Sequence, residues 1–309
     1  MVTQENIFQF INEKSLQPSL KWILDPFPHV VIDNFLLQEV FDRITNDIRV
    51  SPKSEVIQRQ FDTYIESKKK IYYDHDLSNT AAIPIGVLES NLIKGLISEF
   101  LNDSDVTSMS EQYLYGGYSP YHEMESGGIL GSHVDHSFSK DNKYLHVGNA
   151  IFYASNLWQP DWGGETIFFS RNGIKPIKLI EFKPNRLILF IHSSNSFHGV
   201  NYISSPPEQK RKTYYLDFYS LPEKNRSIER TLKSKGCHGL RYTHHSTTFL
   251  PFFPIGLKSF RITHLFRIKE NIVYAFYYII YYISRITRHN FLAYFKRLKR
   301  FTSMMLSNE

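Results

Sequence analysis

The sequence predicts an α+β chain, mainly β, with helices ahead of a strand-rich core and a further helical segment after it. Three observations carry this. Apolar residues recur at helical spacing in Leu36, Val40, Phe41, Ile44 and Ile48, and again in Leu88, Leu92, Ile93, Leu96, Ile97, Phe100 and Leu101. Strand-like segments then dominate from Glu111 to Ser220, and an aromatic content of 15% suits strands more than a helical bundle. Beyond residue 268 the pattern turns helical once more. Two helices before a run of strands argue for a β-sandwich barrel supported by helices on one side.

Taken in order, Pro26 to Leu36 reads as an entry strand leading into the first helix. Tyr118 to Gly128 reads as a loop over the barrel mouth, where loops select substrate. Gly131-Ser132-His133-Val134-Asp135 follows. His146 to Tyr153 is an apolar, aromatic strand. Trp162-Gly163-Gly164-Glu165-Thr166 is a Gly-Gly turn ahead of Ile167-Phe168-Phe169, and Lys183-Pro184-Asn185-Arg186 is a turn ahead of the strand Leu187 to Ile191. Ser196-Phe197-His198-Gly199-Val200 comes next. Ser204 to Lys210 reads as an inserted turn before the strand that opens at Arg211. Residues 224 to 254 are mixed, with Thr247 to Pro254 expected to pack back on the barrel. Residues 268 to 300 read as one or two helices.

Composition bounds the function. A hydrophobic content of 42% suffices for a core, and 309 residues fit one large domain or one domain with an extension. The single cysteine, Cys237, excludes an intramolecular disulfide and fits a reducing compartment. Met1 to Asn6 shows neither a basic region nor an apolar run, so no secretory signal is expected and the setting is read as cytoplasmic. No phosphate-binding glycine loop and no tandem repeat is evident.

The residues that carry chemistry are His133, Asp135, His198 and Arg211. Two imidazoles and a carboxylate form a facial ligand set for Fe(II) that leaves the opposite positions open. On an extended segment His133 and Asp135 point to the same side, and His198 arrives from another strand. Arg211 offers the planar fork a carboxylate co-substrate needs. Lys212 is its rival, but it faces the other side of the strand from Arg211 and Thr213. Tyr153 sits in the aromatic strand, where its plain reading is a core tyrosine. His136 reads as a loop residue at the pocket rim; a cupin-type site would prefer His-x-His with a downstream Glu, which is absent. His244, His245 and His238 lack carboxylate or thiolate neighbours at ligand spacing and read as solvated or structural.

The order of these features resembles the 2-oxoglutarate- and Fe(II)-dependent dioxygenases of the prolyl-4-hydroxylase-like branch: His-x-Asp, aromatic strand, Gly-Gly turn, Pro-x-Arg strand, second His, then Arg-x-Thr. The resemblance spans roughly residues 20 to 222. It implies a double-stranded β-helix, or jelly roll. It implies His133, Asp135 and His198 as metal ligands, and Arg211, Thr213 and Tyr153 as the 2-oxoglutarate set. The spacing of thirteen from His198 to Arg211 exceeds the nine to eleven of many relatives. The implied activity is hydroxylation of an unactivated C–H bond with O2, releasing succinate and CO2, with ascorbate as reductant. Asp135 argues against the halogenase variant, which loses that ligand. No catalytic group beyond the metal site is implied. Residues 1–222 then form the dioxygenase domain, with helical support over about 1–105 and the jelly-roll core over about 106–222; residues 223–309 are a basic, aromatic-rich extension. The substrate is a small molecule or a peptide: a prolyl residue, an amino acid, or a sugar or lipid precursor.

Two readings compete. A catalytically inert jelly roll binding a partner or membrane surface through its tail has no need to keep all four residues. A zinc hydrolase on the same ligands lacks an evident general base.

Charge is uneven. Residues 258–300 carry ten Lys or Arg against Glu270 alone, a net +9, whereas residues 1–257 carry 26 basic and 28 acidic residues, a net −2. The apolar, tyrosine-rich stretch from Ile272 to Ile283 is short of the roughly 20 residues that span a bilayer. Its basic flanks suit peripheral contact with an anionic membrane, or a helix docked on its own domain or on a second copy. Tyrosines interleaved with bases can stack on nucleic acid, but nothing else in the chain supports that partner.

Overall fold

The computed structural model describes residues 2–3, 5–16, 20–50, 57–63, 65–73, 77–109, 119–139, 142–237, 247–250 and seven positions between 272 and 283. The His238, His244 and His245 cluster and the basic run at 296–300 lie outside them.

Among the described residues, twelve strands join in one curled antiparallel sheet. These are β1 (His29–Ile32), β2 (Ile57–Phe61), β3 (Glu66–Tyr72), β4 (Thr107–Met109), β5 (Tyr121–Val134), β6 (Leu145–Tyr153), β7 (Thr166–Phe169), β8 (Pro176–Ile180), β9 (Leu187–Ile191), β10 (His198–Val200), β11 (Arg211–Ser220) and β12 (Thr248–Phe249). The principal order is β1-β9-β6-β11-β5-β10-β7-β8, with β2, β3, β4 and β12 off that path. This is the expected jelly-roll core with helical support. Its hinge is the fourteen-residue β5. The first part pairs with β11, as in Arg211↔Met124, and the last part pairs with β10, as in His198↔His133. Gly127, at φ 85°, lies between the two parts, in a backbone region an L side chain rarely adopts.

Two cores follow from strand alternation. Tyr214, Leu216 and Phe218 of β11, Phe152 of β6 and Leu189 of β9 pack against the helices. Those helices are α1 (Gln38–Val50), α2 (Ile83–Leu88), α3 (Asn91–Leu101) and α4 (Asn225–Ser234). Val40, Phe41, Ile44 and Ile48 of α1 are buried there, with Phe41 edge-on to Phe152 at 6.1 Å. The other strand faces, including Met124, Ile151, Phe168, Ile188 and Phe190, fill the barrel. Asn185 ties the entry strand to the barrel: its side chain accepts from Leu36 N–H and donates to the Leu36 carbonyl, both at 2.9 Å. Arg186 beside it grips Asp33 through Nε at 2.5 Å and Nη2 at 2.8 Å.

Three local expectations change. The stretch from Leu88 to Leu101 is two helices, because Ser90 caps α3 by accepting from Ile93 N–H and so ends α2 before it. Residues 121–128, expected as a loop, are strand, because the hairpin β2–β3 covers the outer edge of β5, as in Lys70↔Glu123 and Ile71↔His122. The mixed region after residue 223 contains α4, whose Ile228 and Leu232 reach the helical core.

As expected, the chain returns to the barrel near residue 247: β12 pairs with β5, and Leu250 N–H donates to the Ser132 carbonyl at 2.9 Å. The described positions between Ile272 and Ile283 are helical. Tyr278 donates to the Asn172 carbonyl at 3.1 Å and packs near Phe169, Phe197 and Leu250. Among the described residues, no helix is long and apolar enough to cross a membrane.

Candidate active site

The strand pair β5–β10 sets His133 directly across from His198, and the chain leaves β5 at Asp135. The ligand atoms of these three buried residues lie within 4.8 Å of one another. His133 Nε2 is 3.6 Å from Asp135 Oδ1, and His198 Nε2 is 3.4 Å from Oδ2. That approaches the ~3 Å separation of adjacent ligands around one ion with bonds of about 2.1 Å. His133 Nδ1–H donates to the Gly131 carbonyl at 2.8 Å and His198 Nδ1–H to that of Ser196 at 2.9 Å. Each backbone carbonyl fixes one tautomer and leaves Nε2 with a free lone pair, which is how metal-binding imidazoles are oriented. Burial, helped by the neighbouring His198, pushes the His133 pKa down to about 3, so the ring is neutral at pH 7. Burial opposes ionisation of Asp135, but the two imidazoles beside it outweigh that and hold its carboxyl below its ordinary range. Two imidazole nitrogens and one carboxylate on a common side fit a divalent ion with N/O preference.

Asp135 is itself held. Tyr215 OH donates to its Oδ2 at 3.0 Å, and the Asn149 amide lies 3.5 Å from the same oxygen. Asn149 Nδ2 also donates to Asp217 Oδ1 at 2.6 Å. Behind it, Asp217 faces His146 Nε2 at 3.2 Å, and Tyr219 OH donates to Asp217 Oδ2 at 3.3 Å. His136, expected at the pocket rim, is instead buried in this network, with Nε2 2.9 Å from Tyr219 OH and its ring stacked on His146. The chain turns inward after Asp135, where His146 N–H bonds the Ser137 carbonyl.

His136, His146 and Asp217 also form a compact ligand-type group. It is an ion pair rather than a metal site. His146 Nδ1 meets the His136 carbonyl at 2.9 Å, and Nε2 meets the Gly148 carbonyl at 3.1 Å as well as Asp217. Both nitrogens face acceptors, so the ring carries two protons and has no lone pair to give a metal. Burial works against the cation, but Asp217 outweighs it and raises the His146 pKa; Asp217 in turn is held well below the carboxylate range.

The stability consequence has a definite sign. The raised His146 contribution is complete below its unfolded pKa of about 6.5 and disappears as pH rises through the folded value; the depressed Asp217 contribution is complete above about 3.9 and disappears as pH falls through its folded value. Asp217→Asn therefore destabilises the fold by about 3–5 kcal/mol near pH 5–6, by leaving a buried cation unpaired. Urea unfolding at pH 5.5 and pH 9 measures this: the gap between variant and parent narrows at the higher pH. A gap that widens there would contradict the ion pair.

Arg211 opens β11, is buried, and forms no ion pair with an acidic residue among those described. Its Nε donates to the Gly164 carbonyl at 2.8 Å and Nη2 to Thr166 Oγ1 at 3.3 Å. The guanidinium lies 5.2 Å from the Tyr153 ring centre and 5.0 Å from that of Phe182. Tyr153 OH is 2.5 Å from Thr166 Oγ1. A buried guanidinium with two hydroxyl groups beside it and no acid of its own fits a dianion whose far carboxylate enters this corner. Thr213 lies on the same strand face as Arg211, while the hydroxyl that meets the guanidinium is that of Thr166. Lys212 points the other way and donates Nζ–H to the Ile48 carbonyl of α1 at 2.9 Å.

Sequence reasoning missed Thr166, Tyr215, Asn149 and Asp217. Alternation had the signal: Tyr215 and Asp217 share the parity of Arg211, and Asn149 that of Tyr153.

The family model of the 2OG-Fe(II) oxygenase superfamily matches residues 119–216, which contain the triad and the Arg211 corner. The match takes in about a third of the chain. Among solved structures, the chain is similar to a prolyl-4-hydroxylase of Pseudomonas putida at 16% identity, covering 64% of this chain and 95% of that one, with a TM-score of 0.42. It is similar to a prolyl hydroxylase of Trichoplax adhaerens in complex with a hypoxia inducible factor oxygen degradation domain peptide fragment, at 17% identity over 66% and 88% of the two chains, TM-score 0.46. It is also similar to HygX of Streptomyces hygroscopicus with nickel, 2-oxoglutarate and hygromycin B bound, at 12% identity over 69% and 88%, TM-score 0.41. No curated protein matches the chain.

Proposed function

We propose that this protein is an active Fe(II)- and 2-oxoglutarate-dependent hydroxylase of the prolyl-4-hydroxylase-like branch, carried by residues 1–222 with 223–309 as an extension. The observation that carries the reading is the joint presence of two metal-ready imidazoles beside an ionised Asp135 and a buried, acid-free Arg211. His133, Asp135 and His198 would hold the iron; Arg211, Tyr153 and Thr213, with Thr166, would hold the far carboxylate of 2-oxoglutarate. Bound there, the iron supplies the oxygen chemistry that couples decarboxylation of 2-oxoglutarate to succinate and CO2 with insertion of one atom of O2 into a C–H bond. The protein's own share is placement. Tyr215 and Asn149 aim the Asp135 carboxylate, while Met124, Phe168 and Phe190 keep the barrel interior dry. Ascorbate serves as reductant, and the lone Cys237 supports a reducing, cytoplasmic setting. The substrate is a prolyl residue, an amino acid, or a sugar or lipid precursor. Incubation with Fe(II), 2-oxoglutarate and a cell lysate is expected to give stoichiometric succinate and a product heavier by one oxygen. Binding of metal and 2-oxoglutarate without succinate from any lysate would favour the inert binding module.

The extension supports a second, compatible role at an anionic membrane surface. Ile272, Phe276, Ile279 and Ile283 are exposed at spacings of four, three and four, one side of a helix, within the segment of net +9. Truncation after residue 265 is expected to weaken binding to anionic vesicles in a salt-dependent way, at about 1 kcal/mol per basic residue near the surface, while metal binding persists. Co-sedimentation at low and moderate salt measures it. Indifference of the full chain to such vesicles, with aggregation of the truncated one, would make the helix a cover for the barrel.

A further inference from the structure

The family match ends at residue 216, yet the metal corner is completed by residues beyond it. Thr248 and Phe249 form β12 on β5, in the register Thr248↔Val134 and Phe249↔His133. His133 therefore has a strand on each edge, β10 on one and β12 on the other. Along the latter edge β12 takes over where β3 ends, at Glu66↔Leu130. Residues directly opposite in an antiparallel pair put their side chains on the same face. The Phe249 ring accordingly stacks on the His133 imidazole, with centroids 4.8 Å apart and planes 24° apart. It also packs against the small apolar cluster of Ile65 and Ile129. The second imidazole has an aromatic neighbour of a different kind: Phe190 of β9 lies 4.9 Å from His198 but is tilted by 59°.

We propose that Phe249 is a positioning residue of the metal site: the C-terminal extension supplies the aromatic face that holds the His133 ring in plane. The proposal rests on the reading of His133 as a ligand. The Nδ1–H bond to Gly131 fixes the tautomer of His133, but one hydrogen bond leaves the ring free to tilt about it. Ligand atoms must sit within about 0.2 Å of their ideal distances, so a tilt is felt directly as lost affinity. A flat contact from Phe249 removes that freedom. A two-residue strand at the edge of a large sheet adds little to the global fold, so this contribution is separable from stability.

The test uses the full chain with Phe249→Ala, Phe249→Tyr and His133→Ala, and Mn(II) as a probe that needs no turnover. Calorimetric titration is expected to show Mn(II) affinity about 2- to 12-fold weaker for Phe249→Ala, the range an aromatic pair confers. Phe249→Tyr, which keeps the ring, is expected to match the parent. The visible spectrum of the Co(II) form should change with Ala and return with Tyr, while melting of the metal-free protein stays the same for all three. Parent-like Mn(II) affinity in Phe249→Ala, with none in His133→Ala, would overturn the positioning role alone. Undiminished binding in His133→Ala would overturn the ligand reading beneath it.

Discussion

His133→Ala, Asp135→Ala and His198→Ala are each expected to abolish metal binding and succinate formation while the barrel stays folded. Loss of a group that merely orients a ligand typically weakens metal affinity 10- to 100-fold, so loss of a ligand itself should exceed about 100-fold. The fold should survive because its two large apolar clusters, one against the helices and one inside the barrel around Phe168 and Phe190, contain none of the three residues. In the metal-free state His133 is a desolvated imidazole that favours the neutral form, so alanine removes little that supports the fold. Mn(II) calorimetry, succinate release and far-UV circular dichroism together separate the outcomes. Near-native turnover of any one variant at saturating Fe(II) would remove that residue from the ligand set.

Arg211→Ala should raise the apparent KM for 2-oxoglutarate about thirty-fold or more, with little change in metal affinity. Truncating one partner of a buried charge pair typically costs about 2–5 kcal/mol. Here the partner is the incoming carboxylate, since no described acid forms an ion pair with the guanidinium; Glu165 acts on it only from a distance. Lys212→Ala should have a mild effect on KM, because its ammonium sits on the Ile48 carbonyl across the strand. Thr166→Val is expected to fall between them, as it removes the hydroxyl shared by Tyr153 and Arg211. A larger KM effect from Lys212→Ala than from Arg211→Ala would move the anchor to Lys212.

Strand alternation alone separated Arg211 from Lys212 in the sequence, and the contacts agree with that separation. His133, Asp135 and His198 were singled out by the order of features that resembles a known family, and the strand pairing brings their ligand atoms within 4.8 Å of one another. The β2–β3 hairpin was not. Its Ser67-Lys68-Lys69-Lys70 run looks solvated, and it becomes strand only because β5 offers a partner some fifty residues away. The same pairing turned an expected loop at 121–128 into strand. His136 was misjudged because nothing nearby in sequence announces Tyr219, its hydrogen-bond partner 83 residues on. Asp217 and Asn149 looked like ordinary strand polars; their meaning lies in β6 and β11 lying side by side, with Asp217↔Asn149 as one pair of that ladder.

The alternation of β11 also decides where this chain can change length. Ser204 to Lys210 ends before the ladder begins at Arg211, so extra residues there lengthen a connection without altering which side chain meets which partner. That absorbs the unusual interval between His198 and Arg211. One residue added between Arg211 and Asp217 would behave quite differently. Everything on one side of the insertion would exchange faces, sending Tyr215 and Asp217 toward the helices and bringing their apolar neighbours against Asp135. The strand thus accepts added length up to its first residue, whereas a single residue added within the Arg211–Asp217 stretch, unless a bulge takes it up, reverses the site.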